Sequence, residues 1–280
     1  MAFCDLHVHS VFSDGTDTPE ALVRAAEGLS LSHVALCDHN TVAGLPRFLA
    51  AARGSSVVAV AGAEFSVDYA GVELHLLGLF LPKSRFSEID ALMQEVLLRK
   101  EHCHREMIAS LRRAGYDLDY DEIARAFPDA RINRAHIATV MVERGFVSSV
   151  KEAFASLLAK SSPHYREPKR PDVFEMIAYL RGIGAVPVLA HPFLNLSTDE
   201  CAVFLPRAKD CGLVGMECHY VSFDEKETAL ALSLARENRL LPSGGSDYHG
   251  RTKPDVSLGV GYGNLRIPDA WALALSAERK

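Results

Sequence analysis

Two histidines one residue apart, in the stretch Phe3-Cys4-Asp5-Leu6-His7-Val8-His9-Ser10, open the chain, and Ser13-Asp14-Gly15 follows at once. In a strand, with its period of two, His7 and His9 project from one face with Asp5 while Leu6 and Val8 project from the other. Two imidazoles then converge as a chelate does. His102 and His104 repeat the spacing inside a helical pattern, where residues two apart diverge, so they carry no such weight. Similar donors recur in Asp38-His39, Gly62-Ala63-Glu64, His75, Ala190-His191-Pro192 and Gly245-Ser246-Asp247-Tyr248-His249. Mixed imidazole and carboxylate donors suit zinc, manganese or iron, and together they exceed what one four- to six-coordinate ion takes. A centre of two or three divalent ions is expected. Asp14, Glu64 and Asp247 against two or three dications leave a positive pocket that draws in phosphate. A hydroxide bridging two ions could then attack phosphorus in line.

Such residues act together only if the elements bring them to one edge. Thr18-Pro19-Glu20 supplies an N-cap, a first-turn proline and an acidic residue, predicting a helix that reaches Leu29. Residues 34–39 read as a strand, 45–53 as a short helix, and 57–65 and 73–80 as two further strands. Residues 87–169 are helical and charged with no convincing strand, which reads as an insertion or cap, a second domain being the competitor. Alternation resumes with a helix at 171–181, strand 186–190, helix 198–209, strand 213–219, helix 225–238 and strand 240–243. Seven mostly helix-linked strands predict an α/β fold with a parallel sheet. Closure into a barrel is favoured over an open doubly wound sheet, since no Gly-x-Gly-x-x-Gly turn opens a helix. The donors then lie at or just beyond strand ends, where β/α barrels keep their chemistry.

Composition bounds the partners. With 280 residues, 48% of them hydrophobic, the chain can bury a large core. A formal charge of −6 argues against a binder of duplex DNA. The six cysteines show no C-x-x-C spacing and read as reduced thiols of a cytoplasmic protein. No basic leader and no long apolar run predicts export or a membrane span.

The set His7-x-His9, Ser13-Asp14-Gly15, Asp38-His39-Asn40, Gly62-Ala63-Glu64, His75, Ala190-His191-Pro192 and Gly245-Ser246-Asp247-Tyr248-His249 resembles the PHP (polymerase and histidinol phosphatase) family. The resemblance implies a distorted (β/α)7 barrel from residues 1–86 plus 170–280, with an α-helical cap at 87–169 contributing to the substrate site. It implies His7, His9, Glu64 and Asp247 around one ion, and Glu64 bridging to a second held by His75 and His191. Asp14, His39 and His249 would hold a third. Asp14, His39, Glu64, Asp247 and His249 would form the catalytic group, with Asp14, His39 and His249 also meeting substrate. Manganese is the first choice of ion, with zinc and iron(II) as alternatives.

The cap resembles that of the branch containing 3′,5′-nucleotide bisphosphate phosphatase and related RNA-trimming enzymes. Within it, Arg131-Ile132-Asn133-Arg134-Ala135-His136 opens a helical pattern, and a helix N-terminus beside a guanidinium makes a phosphate seat. That geometry points to Arg134, and the resemblance to this branch implies Asn133, Arg134 and His136 as substrate contacts, joined by Lys160 and His164, for which a solvated basic face is the alternative. The expected activity removes the 3′-phosphate of a nucleoside 3′,5′-bisphosphate, such as adenosine 3′,5′-bisphosphate, to give a nucleoside 5′-phosphate and phosphate. The alternatives are a 5′-3′ exoribonuclease acting on short RNA, a histidinol-phosphate phosphatase and, from a different class, a non-catalytic metal-stabilised PHP module. The partner is a small nucleotide or short RNA, neither duplex DNA nor a membrane. Asp5, on the parity of His7 and His9, is read as fixing an imidazole, or else as a buried strand polar group. His33, His102, His104, His219 and Trp271 are assigned no chemistry.

Overall fold

The computed structural model describes residues 2–128 and 132–279; Arg131, part of the expected phosphate seat, lies outside them. The first half holds β1 (Phe3–Val8), α1 (Pro19–Gly28), β2 (His33–Leu36), α2 (Leu45–Ala51), β3 (Val58–Tyr69) and β4 (Val72–Leu79). Thr18 caps α1, accepting from the Ala21 N–H at 3.2 Å, and Leu22, Val23 and Ala26 turn into the core. The segment after β4 carries α3 (Phe86–Arg113), α4 (Tyr120–Ala126), α5 (Arg134–Glu143) and α6 (Val150–Ala155), with no strand among its described residues. Alternation then resumes with α7 (Val173–Gly182), β5 (Val186–Leu189), α8 (Thr198–Asp210), β6 (Gly215–Tyr220), α9 (Glu225–Glu237) and β7 (Leu241–Gly245). The short β8 (Ile267–Pro268) and α10 (Asp269–Ala277) close the chain.

All eight strands form one sheet in the order β7-β6-β5-β4-β3-β2-β1-β8. It curls until β1 meets the end of β7: the Asp247 N–H donates to His7 O and the His9 N–H to Tyr248 O, each at 2.9 Å. The outcome is the expected barrel, nearly closed and clad in helices.

Two features depart from expectation. β3 runs beyond the predicted end to Tyr69, turns through Ala70 and Gly71 at φ +52° and +86°, and returns as β4, antiparallel to both β3 and β5. Left-handed backbone at both turn positions matches the twist of a two-residue hairpin, so no helix links these strands. Alternation of apolar residues carries no strand direction, which is why a parallel neighbour was expected. The two-residue β8 likewise runs antiparallel to β1.

The second departure is a bulge in β1. Asp5 pairs with Val34, but Val8 pairs with Leu36, so one residue on β1 is extra. Leu6 therefore packs in the cluster that fills the barrel, with Ala35, Cys37, Val60, Leu77 and Val188, whereas Val8 packs outward with Val34, Leu36, Leu22 and Phe48. The expected shared face of Leu6 and Val8 is corrected by this bulge, and Asp5 faces away from His7 and His9.

The helical segment has a third cluster of its own, built from Met107, Ile108, Leu111, Leu118, Ile123, Ile137, Met141 and Leu158. α3 joins both regions. Its first half gives Phe86, Ile89, Met93 and Val96 to the outer barrel core, and its second half gives Met107, Ile108 and Leu111 to the third cluster. All six cysteines are free, and Cys4, Cys37, Cys201 and Cys218 are buried. No helix among the described residues is long and apolar enough to cross a membrane.

Candidate metal centre and its basic cavity

Once past the bulge, His7 and His9 enter the barrel mouth, both fully buried. There they meet Glu64, whose two oxygens divide the site. Oε2 lies 3.2 Å from His7 Nε2, 3.3 Å from His9 Nε2 and 3.2 Å from His39 Nδ1. Oε1 lies 2.7 Å from His75 Nδ1 and 2.9 Å from His191 Nε2. Glu64 is not at the end of β3 as expected. It reaches the mouth because β2 stops early: the Glu64 N–H donates to Asp38 O and the Asn40 N–H donates to Glu64 O. His75 reaches the same mouth from near the start of β4, as the antiparallel direction requires.

Asp247 and His249, just beyond β7, complete the ring. Asp247 Oδ1 is 3.1 Å from His9 Nε2 and 3.7 Å from His7 Nε2, while His249 Nε2 is 3.2 Å from Asp14 Oδ1. Asp14 Oδ2 lies 3.8 Å from His39 Nε2. The loop carrying Asp14 is fastened by Asp38, which accepts from the Ser10 N–H at 2.8 Å and the Ser10 and Ser13 hydroxyls at 2.7 Å.

These residues fit divalent ions. Donor atoms of His7, His9 and Glu64, of His39, Glu64 and His75, and of His9, Asp14, His39 and His249 each lie within 4.8 Å of one another. His9, His39 and Glu64 thus adjoin two groups each, so the sharing extends beyond the Glu64 bridge that the resemblance implies. Buried His7 Nε2, His9 Nε2, His39 Nδ1, His75 Nδ1, Asp14 Oδ1 and Glu64 Oε2 have no hydrogen-bond partner among the described residues. Orphaned polar atoms are costly in a buried setting, and so many converging on one place are the donor set a metal centre needs.

The electrostatics agree. Burial disfavours charge on Glu64, but His39, His75 and His7 outweigh it and hold the carboxyl well below the usual range. Asp247 is held low in the same way by Lys253, His249 and His7 against burial. Burial lowers His9 and His75, yet Asp247 and Glu64 beside the first, and Glu64 and Glu73 beside the second, raise each to about 9. At His39 burial outweighs the pull of Glu64 and Asp14 and lowers the imidazole to about 3.

Several outer partners went unread in the sequence. Glu217 is fully buried, with Oε1 3.1 Å from His7 Nδ1 and Oε2 accepting from the His191 N–H at 2.7 Å. A lone glutamate inside the apolar run of β6 was the available signal. Asp5 does not fix an imidazole. It accepts from the Ser246 N–H and hydroxyl, the Gly259 N–H and the His7 backbone N–H, tying β1 to the loops after β7. Asp247 Oδ2 accepts from the Tyr220 hydroxyl at 2.7 Å and Lys253 Nζ at 2.6 Å.

Beside Asp14, His39 and His75 opens a cavity of about 280 Å³ lined by Lys100, Arg134, Lys160, Arg166 and Arg170, with His104, Asn133 and Tyr165. Asn133 caps α5, accepting from the Ala135 and His136 N–H groups, and its Nδ2 donates to Asp14 Oδ2 at 3.0 Å, linking cap to metal centre. Arg134 donates to Leu158 O and stacks over the Phe154 and Tyr165 rings, which fixes its guanidinium. Lys160 lines the cavity 3.5 Å from Glu73, which also pairs with Arg170 at 2.8 Å. His136 instead completes the α5 capping box through Nδ1, and His164 bonds Ser110; neither lines the cavity. His104, assigned no chemistry from sequence, is buried and lines it one helical turn from Lys100, a spacing that puts both on one face of α3. Burial pushes the Lys100 ammonium down against the pull of Glu73 and Asp14. A second cavity, of about 380 Å³, lies against Glu64, His191 and Asp247 and is walled by Val150, Phe154, Leu194, Tyr220 and Lys253.

Comparison with known proteins agrees with this geometry. The chain is 30% identical to the 5′-3′ exoribonuclease of Haemophilus influenzae over 88% of its own length and 89% of the relative's. It is 30% identical to the phosphoribosyl 1,2-cyclic phosphate 1,2-diphosphodiesterase of Eggerthella lenta, over 88% and 94%. Identity to the 3′,5′-nucleoside bisphosphate phosphatase of Chromobacterium violaceum is 29%, over 69% and 67%. The crystal structure of a Bifidobacterium adolescentis protein named for metal-dependent phosphoesterase activity superposes with a TM-score of 0.88 at 27% identity, covering 100% of this chain and 97% of that one. These relatives are hydrolytic phosphoesterases, and the PHP domain family matches residues 5–165, which include the donors from His7 to His75. With its barrel, its donor ring and that match, the chain belongs to the PHP family of metal-dependent phosphoesterases.

Proposed function

We propose that this chain removes the 3′-phosphate of nucleoside 3′,5′-bisphosphates, releasing a nucleoside 5′-phosphate and inorganic phosphate. The observation that carries this reading is the basic cavity beside the donor ring, which offers a second phosphate its own seat. A substrate with phosphates on both sides of one ribose can put one at the donors and the other among Lys100, Arg134 and Arg170. Divalent ions on the donor ring, manganese first, would supply Lewis acidity and an acidified water to the reacting phosphorus.

The chain's own residues position the substrate. Arg134, braced by Leu158 O and two rings, presents a rigid fork to phosphate oxygens, a match that lysine would not reproduce. Asn133, bonded to Asp14, keeps that fork in register with the donor ring. The test is phosphate release with manganese from adenosine 3′,5′-bisphosphate against adenosine 3′-monophosphate, which lacks the second phosphate. The bisphosphate is the better substrate. Arg134→Ala lowers its kcat/KM roughly 10- to 100-fold, the range of a lost charge-assisted hydrogen bond, while leaving the monophosphate nearly unchanged. Equal rates on both substrates in the unaltered protein contradict the proposal.

The second cavity supports a second reading, the 5′-3′ exoribonuclease. Val150, Phe154, Leu194 and Tyr220 offer an apolar and aromatic wall, adjoining the basic cavity at Phe154, to the next nucleoside of an RNA chain. A 5′-phosphorylated oligoribonucleotide in the same assay separates the readings: mononucleotides appear if the cavity takes the next nucleoside, which keeps the attacked phosphate on its 5′-oxygen as the 3′-oxygen of the terminal nucleotide leaves, and the oligonucleotide stays intact if only bisphosphates are cleaved.

A further inference from the structure

Glu217 touches the donor ring at two places that belong to opposite oxygens of Glu64. Its Oε1 lies 3.1 Å from His7 Nδ1, and His7 faces Glu64 Oε2; its Oε2 accepts from the His191 N–H at 2.7 Å, and His191 faces Glu64 Oε1. The side chain is fully buried. If His7 offers Nε2 to an ion, its ring proton sits on Nδ1 and needs an acceptor, which Glu217 Oε1 provides. His191 has a different need. Its backbone is left-handed, at φ +27° and ψ +59°, immediately before Pro192, a conformation that side-chain-bearing residues adopt only where the surroundings hold them.

We infer that Glu217 is a positioning residue that clamps both halves of the metal centre at once, fixing the ring tautomer of His7 and the strained backbone that aims His191. A carboxylate is required because both partners are N–H donors. An amide at this position has one acceptor oxygen and one donor NH2, so it can serve His7 or His191 but not both. The inference goes beyond the proposed substrate and rests only on the metal-dependent character of the family.

The test measures Mn2+ stoichiometry and affinity in the full chain, with Glu217→Gln and Glu217→Asp beside the unaltered protein. Thermal unfolding in chelator and the 15N signature of the His7 ring in the Zn2+-loaded protein are followed in parallel. Glu217→Gln is expected to weaken ion binding about 10- to 100-fold, the usual effect of removing a ligand's outer partner, and to change the His7 signature. Glu217→Asp, which keeps two acceptor oxygens on a shorter arm, recovers part of the loss. If the Gln variant fails to fold, the Asp variant alone decides, with weakened binding at unchanged metal-free melting as the expected result. Binding at unaltered affinity in the variant that folds, or a fall in metal-free melting with no change in affinity, overturns the clamp. An unaltered protein that binds no Mn2+ contradicts the metal reading itself, a separate outcome.

Discussion

Both oxygens of Glu64 face imidazoles, so the metal-free site is a cage of carboxylates and partly protonated histidines. The consequence is a stability that depends on pH in opposite senses with and without ions. His9 and His75 sit at about 9, above the ordinary value of 6.5, through Asp247 and Glu64 and through Glu64 and Glu73. In chelator, these imidazolium contacts stabilise the fold fully below pH 6.5 and fade as pH rises through about 9. Ions must displace those protons, so Mn2+ affinity rises over the same interval and falls in acid. Thermal midpoints from pH 6 to 9.5, with chelator and with Mn2+, are expected to converge at low pH and diverge at high pH; parallel curves would contradict this. The donors themselves were legible in the sequence, because so many histidines and carboxylates near strand ends have no joint structural explanation, even though Glu64 lies inside β3 and His75 inside β4. Glu217 was not, since one glutamate in one strand has no partner in sequence, and only the curl of the sheet brings it to His7 and His191.

Among the elements, the seam between β1 and β7 sets the spacing of the donors. A Cβ on Gly245 would lie 2.2 Å from His7 Cβ and 2.7 Å from His7 N, a separation no relaxation of a flexible side chain can repair. Gly245→Ala is therefore expected to lower stability by about 1–3 kcal/mol, the cost of overpacking, and to weaken Mn2+ binding through His7. Chelator-treated thermal unfolding and ion titration check the two effects, and wild-type values for both would contradict the close approach. Element types followed from periodicity and caps, as at Thr18, and the strandless stretch between β4 and α7 also holds among the described residues. What periodicity could not carry was direction and register. The reversal at Ala70-Gly71 has none of the Asn-Gly or Asp-Gly spelling of such turns, and the β1 bulge is invisible to a period-two reading that assumes an unbroken strand.

At the scale of the whole molecule, one long helix couples reaction centre and cap. α3 packs at one end on the barrel and at the other in the cap's own core, and its middle presents Lys100 and His104 to the cavity. The basic residues that line this cavity thus come from the helical segment between β4 and α7, and the donors from the barrel. Arg134 was readable as a candidate phosphate contact from the helix start it occupies, and it lines the cavity. Lys100, Arg166 and Arg170 were not, because a basic residue in a helical or loop segment is ordinarily solvated, and only packing turns these toward one cavity. In the proposed function this cavity seats the phosphate that is not cleaved. The most direct measurement is a crystal structure of the protein with Mn2+ and adenosine 5′-phosphate. Ions are expected among His7, His9, Glu64 and Asp247 and the 5′-phosphate among Lys100, Arg134 and Arg170, leaving the ribose 3′ position toward the ions. A 5′-phosphate lying on the ions with the basic cavity holding no part of the nucleotide would contradict it.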